Sequence, residues 1–398
     1  MNMSVASKLD PARIAAEIAP RLAEKAAETD RLGVFPEQSF QLLRDTGLMG
    51  ILVPQEYGGF GVSMSEYSEI AQILAGSCLS TAMVWAMHSQ QSAVVAHFGS
   101  EGLRRRVLPR VAAGTMFIAS VTSEHQKGGH LFTALSALDQ EEEHFVLDRE
   151  APTVTGGAQG DGYLISMRAG TDNPLSDVVL IFADREQLDI QQRSGWSSMG
   201  MKGTQTIGMS LKGVLPPDQL LQSEGGFTQM AVSTLVPIGH IAWSSCWLGA
   251  AKAAYRQLLD IFRNPATRKG YNLSSELFAE RLSRIRLNLD TVSAYLARVV
   301  AEYDDMRARC SVESAEFHAA WFNIHINNLK VLASETLFTA VDQMVQLGGL
   351  RFGYAHNPAI PLERTFRDLR SARLMYGNDR LLVANGKLAL TDREVRLT

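Results

Sequence analysis

Cysteine is scarce in this chain. The 398 residues hold three, Cys78, Cys246 and Cys310. An odd, scattered set without Cys-x-x-Cys spacing argues against a disulfide framework and against a zinc site, so no metal is expected. Free thiols suit a reducing compartment, and a cytoplasmic location is expected. A surplus of one charge is also lacking: 38 Lys and Arg stand against 42 Asp and Glu, a formal net charge of -4. With no Lys/Arg-rich run, nucleic acid is not an expected partner. No apolar run reaches the roughly 18 residues that suggest a membrane span. The opening MNMSVASKLDPARIAAEIAP lacks the apolar segment of a secretory signal. What remains is a globular composition, 46% hydrophobic and 20% charged, on a chain long enough for two or three domains.

The pattern changes twice along the chain. Residues 10–112 read as helical, with Ile14, Ile18, Leu22 and Ala26 on one face and Gly47 as a helix stop after Phe40 and Leu43. VPQEYGG (53–59) is a loop, and 64–79 and 80–98 read as two apolar, buried helices. From about 115 to 222 short β-rich runs take over: MFIASVT (116–122), HFVLD (144–148), GYLISM (162–167), DVVLIFA (177–183) and IGMSLKGV (207–214). From 226 the chain is helical again. Leu282, Ile285, Leu289, Val292, Leu296 and Val299 alternate steps of three and four, the seam of a bundle helix. A second long helix covers 321–347, 348–361 is a loop, and the last helix ends near Thr391. The expectation is an α+β multidomain fold: an N-terminal α-helical domain (1–114), a central β-barrel-like domain (115–224) and a C-terminal four-helix bundle (225–398).

Five segments carry recognisable motifs: LLRDTGLMGILVPQEYGGFGVSMSEY (42–67), ASVTSEHQKGGHL (119–131), TVTGGAQGDGYLI (153–165), MGMKGTQTIGMSLKGVLPP (199–217) and PLERTFRDLRSARLMYGNDRLLVA (361–384). Their order and spacing resemble the acyl-CoA dehydrogenase superfamily over nearly the whole chain. The resemblance implies a flavoenzyme that oxidises an acyl-CoA, a carrier-bound thioester or a related small substrate by hydride transfer to flavin N5. It implies FAD, with FMN as the alternative. It also implies a homodimer or homotetramer built through the C-terminal bundle, and an electron-transfer flavoprotein or a flavin reductase as redox partner.

The same resemblance places Thr122, Ser123 and Thr155 at the flavin's pyrimidine edge, with Gly128 and Gly129 letting the backbone approach the ribityl phosphate. Read alone, Ser and Thr in strands are simply β-formers. Thr153 stands where an aromatic is usual, Gly129 where a Ser is usual, His130 where an Asp is usual, and His125 replaces a Pro. These departures imply a flavin slot more open and more polar than the family norm. For the adenosine half, VQLGGLRFG (345–353) offers Gln346, Gly348, Gly349 and Arg351. Gln346 sits one residue closer to the glycines than the motif asks. Arg351 either binds pyrophosphate bidentately or blocks it, and a Gly-Gly after a helix is otherwise a plain C-cap.

The family's catalytic carboxylate is absent from both usual locations. Removing an α-proton needs a base within hydrogen-bond reach. Tyr376 occupies the Glu position, in a turn followed by a shortened segment, and Gly239, followed by His240, occupies the alternative one. Tyr376 is a poor base with an unperturbed pKa near 10, and reads as a wall residue. Three readings stay open. Asp379 replaces the base, or else pairs with Arg380 or Arg373 or caps the last helix. Alternatively the chain is a two-component monooxygenase, with His88 near the flavin; a lone His in an apolar helix is otherwise a core residue. Or it is a catalytically altered binder of flavin or thioester. Arg367 and Asp368 are expected to form ion pairs that fix the C-terminal turn, and Trp196, Met199 and Met201 to fill the β-domain core.

Overall fold

The computed structural model describes residues 10–125 and 130–398. The N-terminal part holds α1 (Pro11–Leu32), α2 (Glu37–Asp45), α3 (Met64–Ser77), α4 (Leu79–Phe98) and α5 (Glu101–Ala112). Helix α1 starts where the Asp10 carboxylate accepts the Ala12 N–H at 3.0 Å and Pro11 takes the first helical position. Helix α3 opens with a capping box of Ser63 and Glu66. Asp304, far along the chain, also accepts the N–H groups of Met64 (2.8 Å) and Ser65 (3.0 Å). The C-terminal bundle thus satisfies free donors at the start of an N-terminal helix. Helix α4 is apolar on every side and buried except at Met87 and His97, so it forms the centre of this domain.

Seven strands follow: β1 (Ile118–Val121), β2 (Leu138–Glu141), β3 (His144–Val154), β4 (Gly162–Arg168), β5 (Val178–Asp184), β6 (Leu188–Ser194) and β7 (Ile207–Leu215). They form two sheets, ordered β1-β4-β5 and β2-β3-β7-β6. Strand β1 runs parallel to β4, and the other pairs are antiparallel. Val121, Tyr163, Ile165 and Ile181 from one sheet meet Leu147, Met209 and Leu211 from the other in a shared core. The expected barrel is corrected to two open sheets packed face to face. Strand β6 carries Asp189, Gln191, Gln192 and Arg193 as exposed residues, which suits a solvated edge and not a closed wall.

The C-terminal part begins with α6 (Gly226–Met230), then a π-turn (Ala231–Leu235) that runs into α7 (Val236–Arg263). Helices α8 (Glu276–Arg309), α9 (Ala320–Gly349), α10 (Leu362–Leu369) and α11 (Asn378–Ala389) complete it. Helices α7, α8, α9 and α11 make the bundle, and α10 packs on α9 and α7. The seam residues Ile285, Leu289, Val292, Leu296 and Val299 are buried and Leu282 is half-buried. No helix of the described residues is long and apolar enough to cross a membrane.

The three parts are fastened together by charged groups. Arg367 on α10 holds Asp30 on α1 with two bonds, 3.0 and 2.6 Å, and pairs with Glu363 one turn earlier at 2.8 Å. Asp368 departs from expectation: its carboxylate is buried and accepts the Met201 N–H of the β-domain in place of a side-chain cation. Gly200 lies so close to the Arg367 carbonyl that no side chain fits there. Met199 is exposed, not core: its carbonyl accepts from Arg367 at 3.0 Å while its side chain stands in solvent.

Inside the β-domain, Arg149 and Glu124 form a buried ion pair. Glu124 accepts the N–H groups of Leu135 (2.9 Å) and Ser136 (2.8 Å), and Arg149 donates to the Ser123 carbonyl at 2.9 Å. Removing one partner leaves the other charge buried. Arg149→Leu is expected to cost about 3–5 kcal/mol, measured as a lowered urea midpoint at unchanged slope.

Candidate active site

A cavity of about 650 Å³ opens where the three parts meet. One wall belongs to the β-domain and is lined by hydroxyls: Ser120, Thr122, Ser123, Thr153, Thr155, Thr204 and Thr206. Local structure explains this wall. The register of β3 against β7 shifts between Ala151 and Val154. That bulge takes Thr153 out of the ladder. The Ser123 hydroxyl then serves both of its backbone groups, donating to the Thr153 carbonyl at 2.8 Å and accepting its N–H at 3.2 Å. Further along, Thr206 links Thr155 (3.1 Å) to Thr204 (2.9 Å) through hydroxyl contacts. Trp196 closes this side with its indole N–H on the Met201 carbonyl at 2.9 Å. Both residues line the cavity; Trp196 also packs against the β-domain core as expected, while Met201 joins the core of the helical parts, which corrects its expected place.

The opposite wall comes from α4, α7 and the turn at 371–380. Met83, Met87, Leu235, Val236, Leu374 and Met375 make it largely apolar. Pro237 has no N–H to offer the Ser233 carbonyl four residues earlier, and the Tyr303 hydroxyl donates to that carbonyl instead, at 3.0 Å. The π-turn sits at this break. The buried Gln90 amide donates to the Leu235 carbonyl, and a Cβ at Gly239 would collide with the Gln90 side-chain nitrogen. The second location for a catalytic carboxylate is therefore filled by Gln90.

Three aromatic rings gather at the inner end. His240, Trp243 and Tyr376 have ring centroids 5.7, 5.8 and 6.0 Å apart. His240 Nδ1 lies 3.3 Å from the Ile326 carbonyl, which assigns the proton to Nδ1. Its Nε2 is buried with no partner among the described residues, and the Trp243 indole N–H is in the same position. Burial, and then the Lys330 charge, push the His240 imidazole down to about 3. Tyr376 adopts φ 52, a left-handed conformation uncommon for a non-glycine residue. Lys330 on α9 holds it there, donating to the Tyr376 carbonyl at 3.0 Å and to Asn378 Oδ1 at 2.7 Å. Burial lowers the Lys330 ammonium to about 7 and raises the Tyr376 phenol well above its ordinary range. His130 and Arg380 are exposed residues of the lining. Among the described residues the lining contains no Asp or Glu.

The expected site residues divide clearly. Thr122, Ser123, Thr153, Thr155 and Tyr376 meet at the cavity, while Gly128 and Gly129 lie outside the described residues. His88 does not line the cavity. It is fully buried, accepts the Ile118 N–H at Nδ1 (2.9 Å) and lies 3.1 Å from the Met49 carbonyl at Nε2, so it is a satisfied core residue. Asp379 also stands outside: it is exposed in the first turn of α11, because the inward position there belongs to Asn378. Gln346 is exposed and donates to Asp342 at 2.7 Å. Gly348 ends α9 buried, Gly349 takes φ 63, and exposed Arg351 lies 4.7 Å over the Phe352 ring. Gln346, Gly349 and Arg351 form a surface at the end of α9 over the buried Gly348, and none of the four lines the cavity. Gln90, His240, Trp243, Thr204 and Thr206 were missed. For His240 the available signal was its place beside Gly239.

The slot fits a flavin. Its volume lies in the range of cofactor pockets, one wall is a row of hydroxyl donors and acceptors, and among the described residues no carboxylate lines it. Fold and site define an α–β–α oxidoreductase of the flavoenzyme type. The family models for the N-terminal and C-terminal domains of acyl-CoA dehydrogenase match residues 12–115 and 226–386. The chain belongs to the acyl-CoA dehydrogenase superfamily. It is 26% identical to the mitochondrial isobutyryl-CoA dehydrogenase of Bos taurus over 385 residues, covering 92% of this chain and 84% of that one. Butyryl-CoA dehydrogenase from Megasphaera elsdenii superposes with a TM-score of 0.83 at 17% identity, covering 98% of this chain and 100% of that chain. FMN-bound TdsC from Paenibacillus sp. A11-2 gives 0.82 at 19% identity, covering 96% and 98%. At these identities the two structures speak for the fold alone.

Burial holds His88 neutral, from an ordinary 6.5 down to about 3. The unfolded chain takes up this proton below about 6.5, so the folded state loses stability as pH falls from there towards 3. His88→Leu leaves the Ile118 N–H and Met49 carbonyl unpaired, at about 1–3 kcal/mol each. Urea unfolding at about pH 7 and pH 5 is expected to show a less stable variant that loses less on acidification.

Proposed function

We propose that the chain holds FAD against the hydroxyl-lined wall and oxidises an acyl thioester or a related small carbonyl substrate in the apolar half of the cavity. The observation that carries this is the junction of the two walls in one slot: a polar β-edge facing Met83, Met87, Leu235 and Val236. When bound, the flavin supplies a two-electron acceptor that takes hydride at N5. The substrate's α-proton, released with the hydride, passes to water, since the described lining holds no carboxylate, and the chain's own groups bind and position the reactants. Ser123 and the linked Thr155, Thr206 and Thr204 present fixed hydroxyls to a flat polar edge. The methionines adapt to an acyl chain. Arg380 presents a guanidinium to an anionic carrier group. Tyr376 stays protonated and serves as wall, not base. The surface of Gln346, Gly348, Gly349 and Arg351 is assigned to the adenosine half, supplied to a neighbouring copy in a homodimer or homotetramer. Exposed Leu277 and Leu287 on α8, Leu382 and Val383 on α11, and Leu390 just after it support association through the bundle.

The absence of a lining carboxylate favours a second reading: a monooxygenase that uses reduced flavin and O2, fed by a flavin reductase in place of an electron-transfer flavoprotein. One experiment separates the two. The holoprotein is mixed anaerobically with a panel of acyl-CoA thioesters, then the panel is repeated with a reductase and oxygen. Flavin bleaching by a thioester is expected. A C4a-hydroperoxide absorbance with no bleaching by any thioester supports the monooxygenase instead. Asp379→Asn is expected to leave the reductive rate within about twofold, since its carboxylate stands outside the slot. Heat release and mass measurement of the flavin is expected to give FAD; FMN alone rejects the adenosine assignment.

A further inference from the structure

Polar groups buried away from water are nearly always paired, so an unpaired one at a cavity calls for an explanation. His240 Nε2 is such a group, and no donor of the described residues is bonded to it. Its ring cannot turn the tautomer around without giving up the Ile326 carbonyl. Lys330 is committed to the Tyr376 carbonyl and Asn378. The Gln90 amide nitrogen is committed to the Leu235 carbonyl, and its oxygen accepts from Gln91 at 3.0 Å. Trp243 and Tyr376 present rings to the imidazole at 5.7 and 5.8 Å. The Trp243 N–H is the matching unpaired donor. Both groups are already shielded from water, and a hydrocarbon brought to this end of the cavity leaves them unpaired. A hydroxyl or an N–H group gives the imidazole the hydrogen it lacks.

We propose that His240 is a specificity-determining residue: its Nε2 is the hydrogen-bond acceptor that selects a substrate bearing an O–H or N–H donor on its acyl portion over a hydrocarbon of the same shape. The substrate class is a hydroxyl- or amino-substituted acyl thioester. The thioester part rests on the function proposed above; the acceptor part does not. Sites built around a polar acceptor reject donor-less analogues through the acceptor they leave unpaired. The neutral imidazole makes this preference independent of its own charge over the neutral pH range.

The test uses the purified holoprotein and two pairs matched in shape, 3-hydroxybutyryl-CoA against isovaleryl-CoA and indole against indene, with dissociation constants from calorimetry. Wild-type protein is expected to prefer the donor-bearing member by about tenfold or more. His240→Leu is expected to bring the ratio to one or below, and His240→Gln, which restores an amide acceptor, to recover part of it. A ratio is insensitive to a general loss of stability, and the wild-type ratio alone already decides if the leucine variant does not fold. If neither thioester binds but indole is preferred in a His240-dependent way, the thioester reading falls and the acceptor stands. No discrimination by wild-type protein within either pair, or an unchanged ratio in a folded His240→Leu, overturns the proposal.

Discussion

Helix α10, just ahead of the turn that lines the cavity, is tied to two other parts of the molecule at adjacent residues. Arg367 grips Asp30 on α1, and Asp368 accepts the Met201 N–H from the β-domain. The two contacts differ in kind. The Arg367 pair is a two-pronged, half-buried bridge between unlike charges, with Glu363 as a second acceptor. Asp368 is a buried carboxylate whose burial raises it to about 6, opposed by the one backbone donor it reaches. Gly200 is the steric condition for both, since any side chain there would push the β-domain off α10. Loosen this junction and the hydroxyl wall separates from the turn that carries Tyr376.

Once the walls are held, their chemistry is set by which side chains fill the inner end. At Tyr376 the ring fills one carboxylate location, fixed by a left-handed backbone and by Lys330 beneath it. At Gly239 the Gln90 amide fills the other, bonded to Leu235. Both positions carry neutral groups, and Lys330 faces carbonyl and amide oxygens. Burial pushes the Lys330 ammonium down to about 7, against the opposing charge of Glu335. Family membership therefore fixes the scaffold and the flavin slot, while the reacting end follows different electrostatics.

Much of this was legible in the sequence. The helical seam of α8, the apolar α4 and five of the seven strands announce themselves by period and composition. Strands β2 and β6 do not. They are edge strands with polar outer residues, and LDQE and LDIQQRS carry little apolar alternation. The flavin-side hydroxyls came from motif order. The inner end resisted because adjacent residues there exchange roles. Asp379 has the charge, but Asn378 has the buried position. His88 and His240 both sit in apolar helices, and only the fold tells that one is paired on both nitrogens and the other on one.

That difference between the two histidines traces to how α7 begins. An α-helix advances about 100° per residue, and a π-turn inserts one residue, so every side chain after it is rotated by about that amount. The π-turn at Ala231–Leu235 ends on the cavity-lining Leu235 and precedes Val236, His240 and Trp243. Pro237 blocks the regular bond that would compete with it, and Tyr303 from α8 takes the carbonyl released. The irregularity therefore has a cause in the sequence and a partner in the bundle. It is the local distortion that brings a polar, partly unpaired face of α7 to the slot where an ordinary helix would present a different one.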